Sequence, residues 1–310
     1  MTATAWHPVD IPDQTGRTVV VTGTTVGGLG HVTALELARR GARVVLAGRT
    51  RARLDETAAA IRAEDGTAEP ETLVVDLSDL GSVRRAADEA AALGPIDVLV
   101  NNAGVMGTSH QRTADGLELQ MATNHFGPFL LTGLLMPQLV ASEAATVVTV
   151  SSLMHRVARH APLHDPRDRD RRYSRWPVYG QSKLANLLFT YELDRRARHA
   201  RLPVKALAAH PGFAATHLAA NGQYGRSSGG LASILDAAVR AVAQPAHMGA
   251  WPTLMAATAD LPGSTYCGPG GLAEQRGAPI VVTSNKLSHD ESAQRRLWEI
   301  SEQTTGIAYP

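Results

Sequence analysis

Cysteine is nearly absent from this chain. Cys267 is the only one in 310 residues, which excludes an intrachain disulfide and a thiolate metal cluster. A reducing, cytoplasmic setting suits such a chain. An excess of either charge is missing too: 30 Lys and Arg stand against 29 Asp and Glu, a formal net charge of +1. That balance gives no electrostatic case for nucleic acid or for an anionic membrane. Long apolar runs are also lacking. The longest, from Phe129 to Val140, is interrupted by Thr132, Gly133, Pro137 and Gln138. It falls about eight residues short of the roughly 20 that a membrane helix needs. The opening MTATAWHPVDIPDQTGR has no basic region followed by an apolar core, so no signal peptide is expected.

What remains is an ordinary globular composition, 44% apolar and 19% charged. A chain of this length can bury roughly three quarters of its unfolded surface without a metal or disulfide staple. Short β-branched runs recur at residues 17–22, 43–47, 72–75, 97–100, 146–150 and 204–209. Such runs suit strands buried on both faces of a parallel sheet. Helical patterns lie between them at 31–40, 51–64, 80–93, 117–139 and 179–198, with more at 230–242, 246–259 and 290–302. This alternation predicts an α/β single-domain doubly wound Rossmann fold with a mostly parallel central sheet. No repeat or linker divides residues 1–310. Residues 1–15 read as an N-terminal extension and 155–178 as a polar, solvated insertion. The Gly-, Ala- and Ser-rich stretch from 212, extended to 250, reads as a substrate lid.

The first strand runs into Thr22-Gly23-Thr24-Thr25-Val26-Gly27-Gly28-Leu29-Gly30. Glycines between a first strand and a first helix let the backbone approach a pyrophosphate at the helix N-terminus. Alone, such a loop is only a turn. After the second strand comes Ala47-Gly48-Arg49-Thr50-Arg51, with no Asp or Glu to take a ribose hydroxyl. A guanidinium there pairs with a 2′-phosphate, so the expected cofactor is NADP(H). Asn101-Asn102-Ala103-Gly104 suits a tight loop facing a ligand crevice. Tyr179-Gly180-Gln181-Ser182-Lys183 puts Lys183 one helical turn from Tyr179. An ammonium beside a phenol favours phenolate, lowering a pKa ordinarily near 10 toward neutrality. The pair then serves as a general acid and base. This spacing is common by chance, and it gains weight from Ser151-Ser152 at the preceding strand end.

In this order these residues resemble the short-chain dehydrogenase/reductase family. The likeness is strongest to its retinol dehydrogenase-like branch, which includes the catalytic domain of the WW-domain oxidoreductase. It covers roughly residues 15 to 305: glycine loop, Asp76-Leu77, Asn101–Gly104, Asn124, Ser152, Tyr179/Lys183 and Pro211-Gly212. The resemblance implies that Tyr179 exchanges a proton with a carbonyl or alcohol oxygen and that Ser152 hydrogen-bonds that oxygen. It implies that Lys183 lowers the tyrosine pKa and holds the nicotinamide ribose, and that Asn124 positions a relay water. Gly23, Thr25, Gly28, Leu29 and Gly30 would face the phosphates. Arg49, Asp76, Leu77, Asn102, Ala103 and Gly104 would serve the adenosine side, and Pro211, Gly212 and Thr216 the carboxamide. A homo-oligomer, dimer or tetramer, is the family's expectation.

One departure concerns the glycine loop. The family pattern is T-G-x-x-x-G-x-G, and here the loop carries an extra residue if Gly28-Leu29-Gly30 opens the helix. The other alignment makes Gly27 the middle glycine and Leu29 a replacement for the last. The family's basic residue before the middle glycine is missing as well, and no N-terminal anchor like that of membrane-bound retinol enzymes is expected.

Other candidates carry less. His155, His160 and His164 are too scattered for a metal, and none is expected. His210 reads as structural or cofactor-adjacent, and Cys267 as a buried, inert thiol. The stripe Leu184, Leu187, Leu188, Tyr191 reads as core or subunit interface. The expected function is interconversion of a carbonyl and an alcohol on a neutral or apolar small molecule. The alternatives are a non-redox epimerase or dehydratase of the same family, and a catalytically silent nicotinamide sensor.

Overall fold

The β-branched run at the start of the chain forms the middle of the sheet. β1 (Thr18–Thr22) is buried along its whole length. Each fully buried valine there contributes about 1.5–3 kcal/mol. The computed structural model describes residues 6–64, 66–168, 172–213 and 244–310. The further strands are β2 (Arg43–Gly48), β3 (Glu71–Val74), β4 (Val98–Asn101), β5 (Ala145–Val150), β6 (Val204–Ala209), β7 (Tyr266–Pro269) and β8 (Pro279–Val281). They form one eight-stranded sheet in the order β3-β2-β1-β4-β5-β6-β7-β8. Every neighbouring pair is parallel except β7 and β8. β7 (YCGP) and β8 (PIV) escape a reading for β-branched runs because they are short and carry Gly or Pro.

Alternate strand residues feed two separate cores, as the two-residue period requires. Val19, Val21, Val44 and Leu46 pack under α1 (Leu29–Ala38), α2 (Arg51–Arg62) and α8 (Ala246–Thr258). Val20, Val45, Leu99 and Val147 pack under α3 (Leu80–Ala90), α5 (Gly127–Leu134), α7 (Arg175–His199) and α9 (Glu291–Thr305). The chain is thus a single doubly wound α/β domain. Its strand order reverses between β1 and β4, where such sheets open a crevice at the strands' carboxyl ends.

Some expectations need correction and others are made more specific. The single helix over 117–139 is broken into α4 (Leu119–Met121), a π turn (Ala122–Phe126), α5 and α6 (Met136–Val140). Pro128 and Pro137 supply no N–H to the helical ladder, which is why it opens there. The insertion is not wholly solvated: His155 is fully buried, and α7 already begins at Arg175. The N-terminal extension docks on the domain, with Ile11 buried and the His7 ring edge-on to Trp251 at 5.5 Å. The stripe on α7 is core: Leu184 and Leu188 pack with α9, and Leu187 and Tyr191 pack against Tyr266. The helix expected at 230–242, Thr216 and most of the expected lid lie outside the described residues.

Candidate active site

Each expected site residue that is described follows the carboxyl end of a strand or stands on a helix facing those ends. After β1, Gly23 adopts φ +75°, and a Cβ there would lie 2.7 Å from the Ala103 Cα. Gly28 is the N-cap of α1 and Gly27 takes φ +78°. The inserted-residue alignment therefore describes the loop, with Gly27 absorbing the extra length. A Cβ on Gly30 would sit 2.5 Å from both Gly23 O and Asn102 Nδ2. Gly30 is thus a close-packing position beneath the loop, not part of the crevice wall. Asn102 Nδ2 donates to Thr22 O at 2.7 Å and Gly23 O at 3.1 Å. Thr22 Oγ1 accepts from the backbone of Asn102 and of Ala103, each at 3.0 Å. These bonds stitch the two turns together across the strand reversal.

The crevice above them measures about 260 Å³ and is lined by Gly23, Thr25, Gly28, Leu29, Arg49, Asp76, Leu77, Asn102, Ala103 and Gly104. Thr24, Thr50, Arg53, Val105, Met106, Thr108 and Thr123 line it too and were not foreseen. The donor set fits a nicotinamide dinucleotide. Thr24 Oγ1 is buried without a partner, and the first N–H groups of α1 have no helical acceptor. Arg49 and Arg53 are exposed at the far end, and neither guanidinium has a hydrogen-bond or ion-pair partner among the described residues. Asp76 Oδ1 is held by the backbone and hydroxyl of Ser78 at 2.9 and 2.6 Å, leaving Oδ2 without a hydrogen bond among the described residues.

At the crevice's other end the four expected catalytic residues converge. Lys183 Nζ donates to Val150 O at 3.0 Å and lies 5.8 Å from the centre of the Tyr179 ring. Asn186, one turn on, donates to the same carbonyl at 3.0 Å. Asn124 bonds Val105 through both backbone groups, at 2.7 and 2.9 Å, and donates to Ser182 Oγ at 2.9 Å. Ser182 Oγ in turn donates to Tyr179 O at 2.8 Å. A Cβ on Gly104 would stand 3.0 Å from Asn124 Oδ1 and 3.5 Å from Lys183 Nζ, so the crevice and this cluster adjoin. Ser152 caps the helical turn Leu153–Val157, accepting from Met154 N at 3.2 Å. Ser182 and Asn186 were not singled out from the sequence. Their spacing from Tyr179 and Lys183 on one helical face was the available signal.

The expected acidified phenol is not what these side chains produce by themselves. Burial pushes Tyr179 up to about 12, with the Ser152 side chain pulling against it. Burial likewise pushes Lys183 down to about 8. Loss of water is the leading cause for both groups.

The flanking histidines are structural. His210 Nδ1 accepts from Gly212 N at 3.1 Å, so Nε2–H points to Glu274 at 3.1 Å, and burial lowers its pKa to about 4. His155 Nδ1 sits 2.6 Å from Ser152 O while Nε2 accepts from Asn285 N at 3.2 Å. Gly212, at φ +64°, follows Pro211 at this strand end. Cys267 is fully buried, and its thiol is raised to about 12. No group of three metal-ligating side chains is present, and no helix is long and apolar enough to cross a membrane, among the described residues.

Comparison with known proteins places the chain in a family. Residues 17–163 match the short chain dehydrogenase family model. Retinol dehydrogenase 13 from Homo sapiens is 38% identical over 95% of this chain and 86% of its own length. The chain belongs to the short-chain dehydrogenase/reductase family. Within it, the protein stands in the retinol dehydrogenase-like branch and is an oxidoreductase of CH–OH groups. Polyprenol dehydrogenase from Mus musculus is 38% identical over 97% of this chain and 87% of its length. A crystal structure of a putative uncharacterized protein from Mycobacterium Paratuberculosis superposes with a TM-score of 0.80. It is 42% identical, over 99% of this chain and all of that one.

Proposed function

We propose that this short-chain dehydrogenase/reductase uses NADP(H) to interconvert a carbonyl and an alcohol on a neutral, apolar small molecule, with Tyr179 as general acid and base. The observation that carries this reading is the junction of the dinucleotide-shaped crevice with the Asn124, Ser152, Tyr179 and Lys183 cluster at Gly104. When bound, the nicotinamide supplies or takes the hydride and, oxidised, adds a positive charge.

The chain's own residues handle the proton. The Tyr179 hydroxyl gives its proton to the carbonyl oxygen, or takes one from the alcohol. A phenol held up at about 12 keeps its proton at neutral pH but gives it up reluctantly, so proton transfer in either direction needs nearby positive charge to stabilise the phenolate. Lys183 supplies one such charge. Ser152 donates to the same substrate oxygen and stabilises charge developing on it. Asn124 and Lys183 border the same space through Gly104, which suits a water-borne path from the ammonium to solvent. Pro128 favours that path, since it has no N–H for the carbonyls of Thr123 and Asn124.

Arg49 and Arg53 favour a 2′-phosphate. They flank the start of α2, four positions apart, and have no acidic partner among the described residues, and residues 47–51 hold no acid to take a ribose hydroxyl. The apolar substrate is supported by Val105 and Met106 beside the cluster, by the half-buried Leu153 and Met154, and by relatives named for retinol and polyprenol. The test is reduction of a straight-chain apolar aldehyde, nonanal, with NADPH. Tyr179→Phe is expected to lower kcat/KM by about 10²–10⁴-fold while NADPH still binds. Arg49→Ala is expected to weaken NADPH by about tenfold or more and to leave NADH unchanged. Tighter binding of NADH than NADPH by the unmodified protein would refute the cofactor assignment.

A further inference from the structure

His125 is a fully buried imidazole that the proposed chemistry does not use. It sits inside the π turn, directly after Asn124. Its ring lies among Phe126, Phe129 and Phe189, at 5.0, 6.2 and 6.2 Å between ring centres. Nδ1 is buried without a partner, and Nε2 lies 2.8 Å from Ser301 Oγ. The Ser301 hydroxyl donates its one proton to Leu297 O at 2.8 Å. It can therefore only accept from His125, so the imidazole is the neutral Nε2–H tautomer. Burial fits that state, holding the pKa down to about 3.

The turn needs an outside hold. Gly127 N reaches back five residues to Ala122 O, and Pro128 brings no donor at all. Its helical ladder is therefore weakest where Asn124 must be aimed. On one side Asn124 grips Val105 and Ser182. On the other, the only polar side-chain contact of His125 among the described residues is with α9, 176 positions along the chain. α9 is itself anchored there: Trp298 is buried with Phe129 and Tyr309 at 5.0 and 4.7 Å, and Tyr309 OH donates to Phe129 O at 3.0 Å.

We propose that Ser301, acting through His125, is a positioning residue: α9 sets the π turn that aims Asn124 at Ser182 and the Lys183 side of the site. The inference rests on the proposed proton path for its kinetic arm and on the structure alone for its exchange arm.

The informative variant is His125→Phe. It removes the bond to Ser301 and also the unpartnered Nδ1, while Ser301 keeps its bond to Leu297. Its melting temperature is expected to stay close to that of the unmodified protein. Amide exchange over residues 119–134 should nevertheless speed up several-fold by mass spectrometry. With nonanal and NADPH, kcat per NADPH-binding site should fall roughly tenfold, KM and the NADPH Kd should stay within about twofold, and the solvent deuterium isotope effect on kcat should rise. Ser301→Ala should reproduce these changes with some loss of stability, since it strands the Nε2–H in the core. Ser301→Thr, which keeps the hydroxyl, should restore them. Unchanged exchange over 119–134 in His125→Phe overturns the proposal whether or not nonanal is turned over. Faster exchange with unchanged kcat and isotope effect overturns it too. No turnover by the unmodified protein would count against the proposed function and leave the exchange result to decide this one.

Discussion

Lys183 is the side chain whose removal should make this protein more stable and useless as a catalyst. Its ammonium is buried, and its pKa falls from the usual 10.5 to about 8. The unfolded chain therefore holds a proton that the folded chain sheds between those values, so stability from this group rises with pH across that window. Below it, burying the charge is a constant penalty. The gap between 10.5 and about 8 corresponds to about 3 kcal/mol near neutral pH. Lys183→Met keeps the length and removes the charge. Val150 O loses the ammonium but keeps the Asn186 amide at 3.0 Å, so no buried acceptor is orphaned. Setting about 1 kcal/mol against the lost hydrogen bond leaves a net gain of about 2 kcal/mol.

The assay is urea unfolding without cofactor, for both proteins, near pH 7 and again at about pH 9.5. Taking the difference cancels the tyrosines and other groups that titrate in both. Near pH 7 the variant should lead by about 2 kcal/mol, and at about pH 9.5 the lead should shrink to roughly zero. Turnover should be lost at both. A variant less stable than its parent near pH 7, or a lead that does not change with pH, would refute the reasoning: the lysine would then be well solvated or firmly paired when folded.

Gly30→Ala should lower stability by about 1–3 kcal/mol and weaken NADPH binding, since its Cβ would meet Gly23 O and Asn102 Nδ2 at 2.5 Å. Urea unfolding and a fluorescence titration measure the two effects, and an affinity left intact would remove Gly30 from the loop's support. Cys267, fully buried with its thiol raised to about 12, should resist a maleimide in the folded protein at neutral pH and react fully in urea. Rapid labelling under native conditions, read by mass spectrometry, would contradict its burial.

The cofactor side was legible because every signal there is local. Gly23, Arg49, Asp76 and Asn102 each follow a β-branched run within a residue or two, and the order of runs alone puts them at one edge of one sheet. Gly30 illustrates the limit of such reading. The motif marked it for the phosphates, whereas three-dimensional packing uses its missing Cβ to admit a carbonyl and an amide from beneath. The supports of the proton side come from far along the chain and leave no local mark. His155, in a stretch that reads as charged and solvated, is fully buried because Asn285, 130 positions later, closes over it. His125 meets Ser301 only because α9 folds back across α7.

The Tyr179–Lys183 pair shows why spacing alone misjudges electrostatics. One helical turn puts the two on the same face, and at that level an ammonium should acidify a phenol. Folding adds two facts that helical spacing omits. Both groups leave water, which penalises the phenolate and the ammonium alike, and the ammonium takes a backbone carbonyl as its partner. With those values Tyr179 keeps its proton at neutral pH and Lys183 stays mostly protonated, its proton more loosely held than usual. On the proposed chemistry, proton transfer in either direction gains from added positive charge beside the phenol. A dinucleotide that becomes cationic on oxidation would bring charge of that sign.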